Sequence, residues 1–319
     1  MSWIVTGGAG YIGAHVVSAL SAAGMEAVVV DDLSTGLASR LPAGVPLVRA
    51  DVRDAAAMLE VFDRHLPAGV IHLAARKEVA ESVAEPLSYY RDNLDGLRSV
   101  LAAAVETRTR AVLFSSSAAV YGSPATSPVT ESAPTDPQNP YGRTKLVGEW
   151  MIRDAAAAAG FGWAALRYFN VAGAGAPHLR DSGDSSLVPR LVRAATSGGL
   201  ATVYGTDYPT PDGTAVRDYI HVTDVADAHV ATALAVAGGT VAGEVFNVGR
   251  GEGASVRQMI DAVGRELGRR VPYVAAPRRP GDPDAVIASP ALIHARLGWR
   301  ARYSLREIIA SSLSHMVPA

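Results

Sequence analysis

The feature that most constrains the fold is an alternation of short apolar runs and helical patterns over the first half of the chain. The apolar runs at 3–6, 27–30, 69–73 and 110–115 are too short for helices, and helical patterns lie between them. Continuous apolar runs of this kind are typical of parallel strands that are covered by helices on both faces. We therefore predict an α/β fold built on a Rossmann-type doubly wound parallel sheet.

After Phe169 the alternation loosens into shorter elements that are rich in glycine, proline and charged residues. We therefore expect two domains, a nucleotide-binding domain over residues 1–170 and a smaller mixed α/β substrate domain over 171–319. Part of the chain near 219–248 is expected to return to the first domain.

Composition excludes several classes of function. The chain has no cysteine, so disulfides, thiolate metal sites and a cysteine nucleophile are excluded, and its eight histidines are scattered, so we expect no metal. Its 29 basic and 31 acidic residues leave no basic surface for nucleic acid or for an anionic membrane. No targeting or membrane-spanning pattern is found, and we expect a cytoplasmic protein.

The sequence GGAGYIG at residues 7–13 follows the first apolar run and opens the first helical pattern. Gly7, Gly10 and Gly13 fit the spacing G-x-x-G-x-x-G, in which glycines permit a tight turn and a close approach of the backbone to a pyrophosphate. The N-terminus of the following helix offers free N–H groups to the same anion. This motif, between a strand and a helix, predicts a dinucleotide site.

Acidic residues follow the next two strands. Asp31 is placed to accept hydrogen bonds from the adenosine ribose and to repel a 2′-phosphate, which favours NAD over NADP. Its neighbour Asp32 is then expected to cap the loop. Asp51 has two open interpretations, a contact with the adenine or a cap on the helix that starts near Ala55.

Tyr141 and Lys145 are four residues apart in a helical pattern and therefore share one helix face. Free tyrosine is a poor base at neutral pH, but a neighbouring ammonium stabilises the phenolate and lowers the pKa of the tyrosine. The serine run at 115–117 ends a strand, where ligands bind in open α/β sheets, and a serine there can contact the same substrate hydroxyl. These residues predict a base for proton transfer from an alcohol.

Several ordered stretches together resemble the extended short-chain dehydrogenases/reductases, and within them the NAD-dependent UDP-sugar 4-epimerases. They are the glycine loop, the serine run with Val120-Tyr121-Gly122, Asn139-Pro140-Tyr141 with Lys145, Arg167-Tyr168-Phe169-Asn170, and the stretches at 204–210 and 216–222. The resemblance implies reversible 4-epimerisation of a UDP-hexose (UDP-glucose/UDP-galactose) through a transient 4-keto sugar, with tightly bound NAD. Alternatives are another UDP-sugar (a pentose, uronic acid or N-acetylhexosamine) or a non-catalytic NAD-sensing protein.

The resemblance also implies roles for individual residues. Tyr141, with Lys145 and Ser117, matches the catalytic positions. The cofactor-binding positions are matched by Gly7, Gly10, Tyr11, Ile12, Gly13, Asp31, Asp32, Asp51, Val52, Leu73, Ala74, Lys77, Asn93, Ser115, Tyr141, Lys145 and Tyr168. The substrate-binding positions are matched by Lys77, Ser117, Tyr141, Phe169, Asn170, Ser186, Leu187, Val203, Tyr204, Arg217, Tyr219, Arg279, Asp282 and Val286.

Departures from the family pattern bear on the substrate. Ser186 stands where the pattern has Asn, and Val286 stands where members carry either a large Tyr or a small residue beside sugar C2. A side chain of valine size is expected to admit an N-acetyl group. Ser117-Ala118-Ala119 holds no carboxylate, so elimination of water, as in the sugar-nucleotide dehydratases, is not expected.

Two further expectations concern assembly and lysine usage. The helices predicted at 93–107 and 141–160 carry faces rich in Ala and Leu, and the resemblance implies a homodimer formed through them. Lys77 and Lys145 are the only lysines beside 27 arginines, counted along the sequence. The resemblance places both at the cofactor, where a compact ammonium suits a crowded site.

Overall fold

The computed structural model describes residues 1–183, 186–279 and 281–314. Its strands are Ser2–Thr6 (β1), Glu26–Asp31 (β2), Leu47–Arg49 (β3), Gly69–His72 (β4), Ala111–Ser117 (β5), Gly162–Tyr168 (β6), Asn170–Ala172 (β7), Ala201–Tyr204 (β8), Val216–His221 (β9), Gly243–Val248 (β10), Gly253–Ser255 (β11), Tyr273–Ala276 (β12) and Ala285–Val286 (β13). Its α-helices are Tyr11–Ala22 (α1), Ala55–His65 (α2), Val79–Ala84 (α3), Pro86–Tyr90 (α4), Gly96–Glu106 (α5), Pro140–Ala159 (α6), Leu187–Ser197 (α7), Val222–Ala237 (α8), Val256–Leu267 (α9), Ala291–Leu297 (α10) and Leu305–Leu313 (α11).

The large sheet has the strand order β10-β6-β5-β4-β1-β2-β3, and every pairing within it is parallel. Helices α1 and α8 cover one face, where Leu20 and Ala228 belong to one apolar cluster with the sheet. Helices α2, α5 and α6 cover the other face, where Leu97 and Ile152 belong to a second cluster. The predicted doubly wound α/β fold is confirmed.

The rest of the chain builds the smaller part of the molecule around strands β7, β9, β11 and β13 and the pair β8–β12. Helices α7, α9 and α11 pack there in a separate apolar cluster. Strand β9 stays in this small sheet, whereas α8 and β10 lie with the large sheet. The chain therefore crosses between the two parts at His221, where the side chain caps α8 by accepting from the amide of Thr223.

The sequence patterns locate the central elements but not the small ones. The helix predicted at 93–107 is part of a longer helical stretch in which a single π turn, Arg91–Asp95, joins α4 to α5. Short strands such as β7 and β13 lack the continuous apolar runs by which a strand is predicted from sequence. No helix within the described residues is long and apolar enough to cross a membrane.

Candidate active site

The glycine loop between β1 and α1 is packed so closely that side chains are excluded. A Cβ atom on Gly13 would lie 2.1 Å from the carbonyl oxygen of Gly7, and one on Gly7 would lie 2.7 Å from the amide nitrogen of Ala74. Gly7 also has a φ of 70°. Beside Gly10, by contrast, the nearest atom is 3.2 Å away, and no side chain from elsewhere in the described residues fills that side. The loop thus leaves the N-terminus of α1 open to an anion.

The acidic residues after β2 and β3 separate into different roles. Asp31 is 7% exposed, and its two carboxylate oxygens each accept one backbone amide at 2.9 Å, from Ala9 in the glycine loop and from Leu33. Each oxygen keeps a further lone pair for a ribose hydroxyl. Asp32 accepts the amide and hydroxyl of Ser34, which is the expected loop cap.

Asp51 does not cap the helix that follows β3. The N-cap of α2 is Asp54, whose side chain accepts from two amides of the first turn. Asp51 instead pairs with Arg53, which also reaches Asp92 at 2.7 Å. Of the two interpretations from sequence, the helix cap is wrong, and a contact with the adenine stays a prediction for Asp51 and its neighbour Val52.

The loop after β4, which carries Leu73 and Ala74, is held in place by Asn93. The side chain of Asn93 accepts the amide of Arg76 at 2.8 Å and donates to its carbonyl at 3.0 Å and to the hydroxyl of Thr144 on α6 at 3.0 Å. Asn93 therefore has one acceptor site left for the cofactor that it was predicted to line. It lies in the π turn, a rare feature that is frequent at functional sites.

Lys77 lies at the edge of this site rather than in a crowded pocket. Its side chain is 53% exposed, and its ammonium is 3.4 Å from the carboxylate of Glu78. Arg76, an unusual residue for this position in the family pattern, forms ion pairs with Glu81, Glu85 and Asp92. Protein atoms alone thus do not crowd Lys77, and its contact with the cofactor stays a prediction.

The predicted catalytic residues are brought together at the carboxyl end of β5. Ser117 ends the strand, and its hydroxyl accepts the amide of Ala119 at 3.1 Å. Tyr141 lies in the first turn of α6, which Asn139 caps. Burial raises the pKa of Tyr141 above its ordinary value, and a hydrogen bond with the Ser117 hydroxyl opposes this rise.

Lys145, unlike Lys77, is buried, with only 3% of its surface exposed. Its ammonium nitrogen lies 5.8 Å from the ring centroid of Tyr141 and 5.1 Å from that of Phe114. Burial lowers the pKa of Lys145 to about 7, and no ion pair with a carboxylate of the described residues balances its charge. A buried lysine that lacks a counterion fits a site completed by a polar ligand.

Ser115 and Tyr168 continue the site towards α8. The Tyr168 hydroxyl lies 2.5 Å from Nε2 of His229, and Nδ1 of that ring lies 2.8 Å from the carbonyl of Val225. Burial raises the pKa of Tyr168 well above its usual range, and a hydrogen bond with Ser115 opposes this rise. No local sequence pattern predicts this contact, because Tyr168 and His229 are 61 residues apart.

Charged and aromatic residues from the smaller part of the molecule form a second group. Arg217 on β9 lies 2.5 Å from Asp282. Arg279 stacks on Tyr204, with its guanidinium carbon 3.9 Å from the ring centroid, and Arg190 reaches the same ring at 5.8 Å. An aromatic ring with two guanidinium groups suits a nucleotide base and a diphosphate.

The remaining predicted substrate residues lie around this group. Ser186 and Leu187 begin α7, and Val203 and Tyr219 are buried on β8 and β9. Asn170 is exposed at the start of β7, directly after the buried Phe169. Val286 on β13 is 6% exposed and belongs to one apolar cluster with Phe169, Val120, Tyr121, Val129, Leu146 and Ala288.

One feature of the site was not predicted from the sequence. Glu149 on α6 and Arg167 on β6 form a buried ion pair, with side chains that are 5% and 6% exposed. Arg167 belongs to the motif at 167–170, but the sequence patterns assign a role to neither Arg167 nor Glu149. The spacing of Tyr141, Lys145 and Glu149, four residues each, is the signal that could have identified it.

Comparisons with known proteins agree with this geometry. The model of the NAD dependent epimerase/dehydratase family matches residues 3–249. A UDP-glucose 4-epimerase of Azospirillum brasilense is 45% identical over 98% of this chain and 90% of its own length. The crystal structure of a Stenotrophomonas UDP-glucose-4-epimerase with bound NAD and formylated UDP-arabinopyranose has a TM-score of 0.94 and 39% identity, over 99% of this chain and 97% of that one. A UDP-Glc/GlcNAc 4-epimerase of Campylobacter jejuni has a TM-score of 0.87 and 34% identity, over 98% of both chains.

Proposed function

Because the chain belongs to the NAD-dependent epimerase/dehydratase family, we propose that it is an isomerase that interconverts UDP-glucose and UDP-galactose at sugar C4. The observation that carries the proposal is the meeting of Tyr141, Ser117 and the buried Lys145 beside an open glycine loop. The Azospirillum relative and the Stenotrophomonas structure support the UDP-sugar as the substrate.

The described residues fit NAD as the resident cofactor. The backbone of the glycine loop and the first turn of α1 would hold the pyrophosphate, and the spare lone pairs of Asp31 would accept the ribose hydroxyls. The ammonium of Lys145, which forms no ion pair among the described residues, would donate hydrogen bonds to the nicotinamide ribose. NAD, when bound, supplies a reversible acceptor for the hydrogen that leaves sugar C4.

Within this arrangement Tyr141 acts as the base. Its phenolate oxygen takes the proton of the C4 hydroxyl and returns it when the 4-keto sugar is reduced on its other face. The Ser117 hydroxyl opposes the rise in the pKa of Tyr141 that burial causes. The ammonium of Lys145, 5.8 Å from the Tyr141 ring, would stabilise the phenolate by its positive charge. No net oxidation occurs, so a second substrate is not required.

The UDP end of the substrate would be bound by the smaller part of the molecule. Arg217 and Arg279 offer guanidinium groups for the diphosphate, and Tyr204 offers an aromatic face for the uracil. Asp218, next to Arg217, is fully buried and accepts the amides of Arg250, Gly251 and Ala288, which fixes the loops around this group.

The direct test is incubation of the purified protein with UDP-galactose and chromatographic detection of UDP-glucose. We expect conversion to an equilibrium mixture without a consumed co-substrate. A failure to convert UDP-galactose or any other UDP-sugar, with saturating NAD present, would favour the alternative of an NAD-sensing protein.

Val286 is expected to permit activity on N-acetylated sugars. Residues 282–285, directly before Val286, line an open cavity of about 320 Å³ together with Ser123–Ser127. The Campylobacter neighbour is named for both UDP-Glc and GlcNAc. We predict turnover of UDP-N-acetylglucosamine by the wild type and its loss in Val286→Tyr, because the larger ring fills the space beside C2. Retained turnover of UDP-galactose in the same variant is the control, and equal N-acetyl activity in both proteins would contradict the prediction.

We also propose a homodimer formed through α5 and α6. These two helices cover the same face of the sheet. Exposed apolar residues lie on them and on α4: Trp150 is 47% exposed, Val105 43% and Leu87 80%. A dimer would bury this surface. We predict that Trp150→Glu shifts the protein from dimer to monomer in sedimentation experiments. Leu234→Glu, on the opposite face, is the matched control, and a wild-type monomer would contradict the proposal.

A further inference from the structure

Glu149 and Arg167 form a two-pronged ion pair in the interior. Arg167 Nη2 lies 2.7 Å from Glu149 Oε2, and Arg167 Nε lies 2.9 Å from Oε1. A buried ion pair often stabilises a protein no more than apolar side chains of the same volume, because both charges lose their hydration. Its presence here therefore requires a reason other than stability, and its neighbours supply one.

The carboxylate of the pair holds one end of the segment that carries Ser117. The Ser116 hydroxyl donates to Glu149 Oε1 at 2.5 Å, and Ser116 lies directly opposite Arg167 in the β5–β6 register. Ser116 thus contacts α6, and Ser117 is the next residue and ends the strand. Fixing the backbone at Ser116 fixes the point from which the Ser117 side chain departs.

The guanidinium of the pair holds the other end of the segment. Ser117 caps a short 3₁₀ turn that ends at Tyr121, and Arg167 Nη1 donates to the Tyr121 hydroxyl at 2.9 Å. That hydroxyl donates in turn to Asn247 on β10 at 2.7 Å. The residues 116–121 are thus attached at both ends to one ion pair, with Ser117 between the two attachments.

The same pair is attached to the helix that carries the base. Glu149 lies one turn beyond Lys145 and two turns beyond Tyr141 on α6, so all three lie on adjoining turns of one face. We propose that Glu149 and Arg167 are positioning residues that set the place of Ser117 relative to Tyr141, the proposed base. This inference rests on the proposed epimerase function.

The mildest test is Ser116→Ala, which removes one hydrogen bond and leaves the ion pair intact. We expect kcat for UDP-galactose to fall by about 10- to 100-fold, because a small displacement of a reacting group slows the reaction strongly. The KM for UDP-galactose and the amount of bound NAD should not change. The rising limb of the pH–rate profile should move to higher pH, because a weaker bond from Ser117 raises the pKa of Tyr141. Tyr121→Phe should act in the same direction.

The matched control is Ser99→Ala, which removes another buried serine hydroxyl, bonded to backbone carbonyls of Asp95 and Arg53 on the same side of the sheet. Its kcat and pH profile should equal those of the wild type. A double-mutant cycle adds Ser117→Ala: with Ser117 absent, Ser116→Ala should cause no further loss.

The outcomes separate the two proposals. If the wild type epimerises, three results would overturn the positioning role. They are an equal effect of Ser116→Ala with and without Ser117, an unchanged rising limb of the pH–rate profile, and a kcat of Ser116→Ala equal to that of Ser99→Ala. A wild type that does not epimerise UDP-sugars would overturn the proposed function, and the positioning role with it.

Discussion

Replacing Tyr141 by Phe should lower turnover of UDP-galactose by ~10²–10⁴-fold, the usual contribution of a well-placed general base. The hydroxyl is the group that we propose receives the C4 proton, and Ser117 opposes the rise in its pKa that burial causes. The substitution removes one oxygen from a partly buried ring and leaves the apolar contacts of α6 unchanged. We therefore expect normal folding and normal NAD content, with the loss confined to kcat.

The control for this variant is Tyr89→Phe. Tyr89 is fully buried in the adjoining helix α4, and its hydroxyl donates to the carbonyl of Glu78. This variant loses a buried phenolic hydroxyl without touching the predicted base, so its turnover should match the wild type. Turnover by Tyr141→Phe at the wild-type rate would show that another group takes the proton.

The second large effect is expected from Lys145→Arg, a change that keeps the charge. Lys145 is 3% exposed and lies between the rings of Tyr141 and Phe114, so the larger guanidinium does not fit without displacing one of them. Arginine also stays charged, whereas burial lowers the pKa of Lys145 to about 7. We expect turnover to fall by ~10²-fold or more, as for other misplaced catalytic groups, together with a loss of bound NAD.

The other lysine supplies the comparison. Lys77 is half exposed and has room for a longer side chain, so Lys77→Arg should retain most of its turnover and its NAD. Initial rates and the NAD released on denaturation measure both effects. Equal rates for the two variants would mean that positive charge alone is sufficient at position 145.

The two lysines also illustrate what the sequence could predict. A local spacing, such as the interval between Tyr141 and Lys145 or the glycine pattern at 7–13, identifies residues that share one helix face or one turn. These patterns led to the correct fold, and Tyr141 and Lys145 do lie near each other on α6. They could not reveal that Lys77 is exposed, because exposure depends on how the loop after β4 is held.

The features of the site that the sequence did not predict depend on contacts between distant segments of the chain. His229 meets Tyr168, and Glu149 meets Arg167 and Ser116, only after α6, α8 and the sheet are assembled. Asn93 shows the reverse: it was expected along the cofactor, yet most of its hydrogen-bonding capacity is used to hold Arg76 and Thr144. The small strands β7 and β13 were missed because they are too short to display a period.

The central claim is that C4 changes configuration by transfer of its own hydrogen away from the sugar and back, with Tyr141 handling only the oxygen-bound proton. Epimerisation of UDP-galactose in heavy water, followed by mass and NMR analysis of the UDP-glucose formed, tests this claim most directly. The account predicts product with ordinary hydrogen at C4, because that hydrogen never exchanges with solvent. Deuterium at C4 in the product would contradict it.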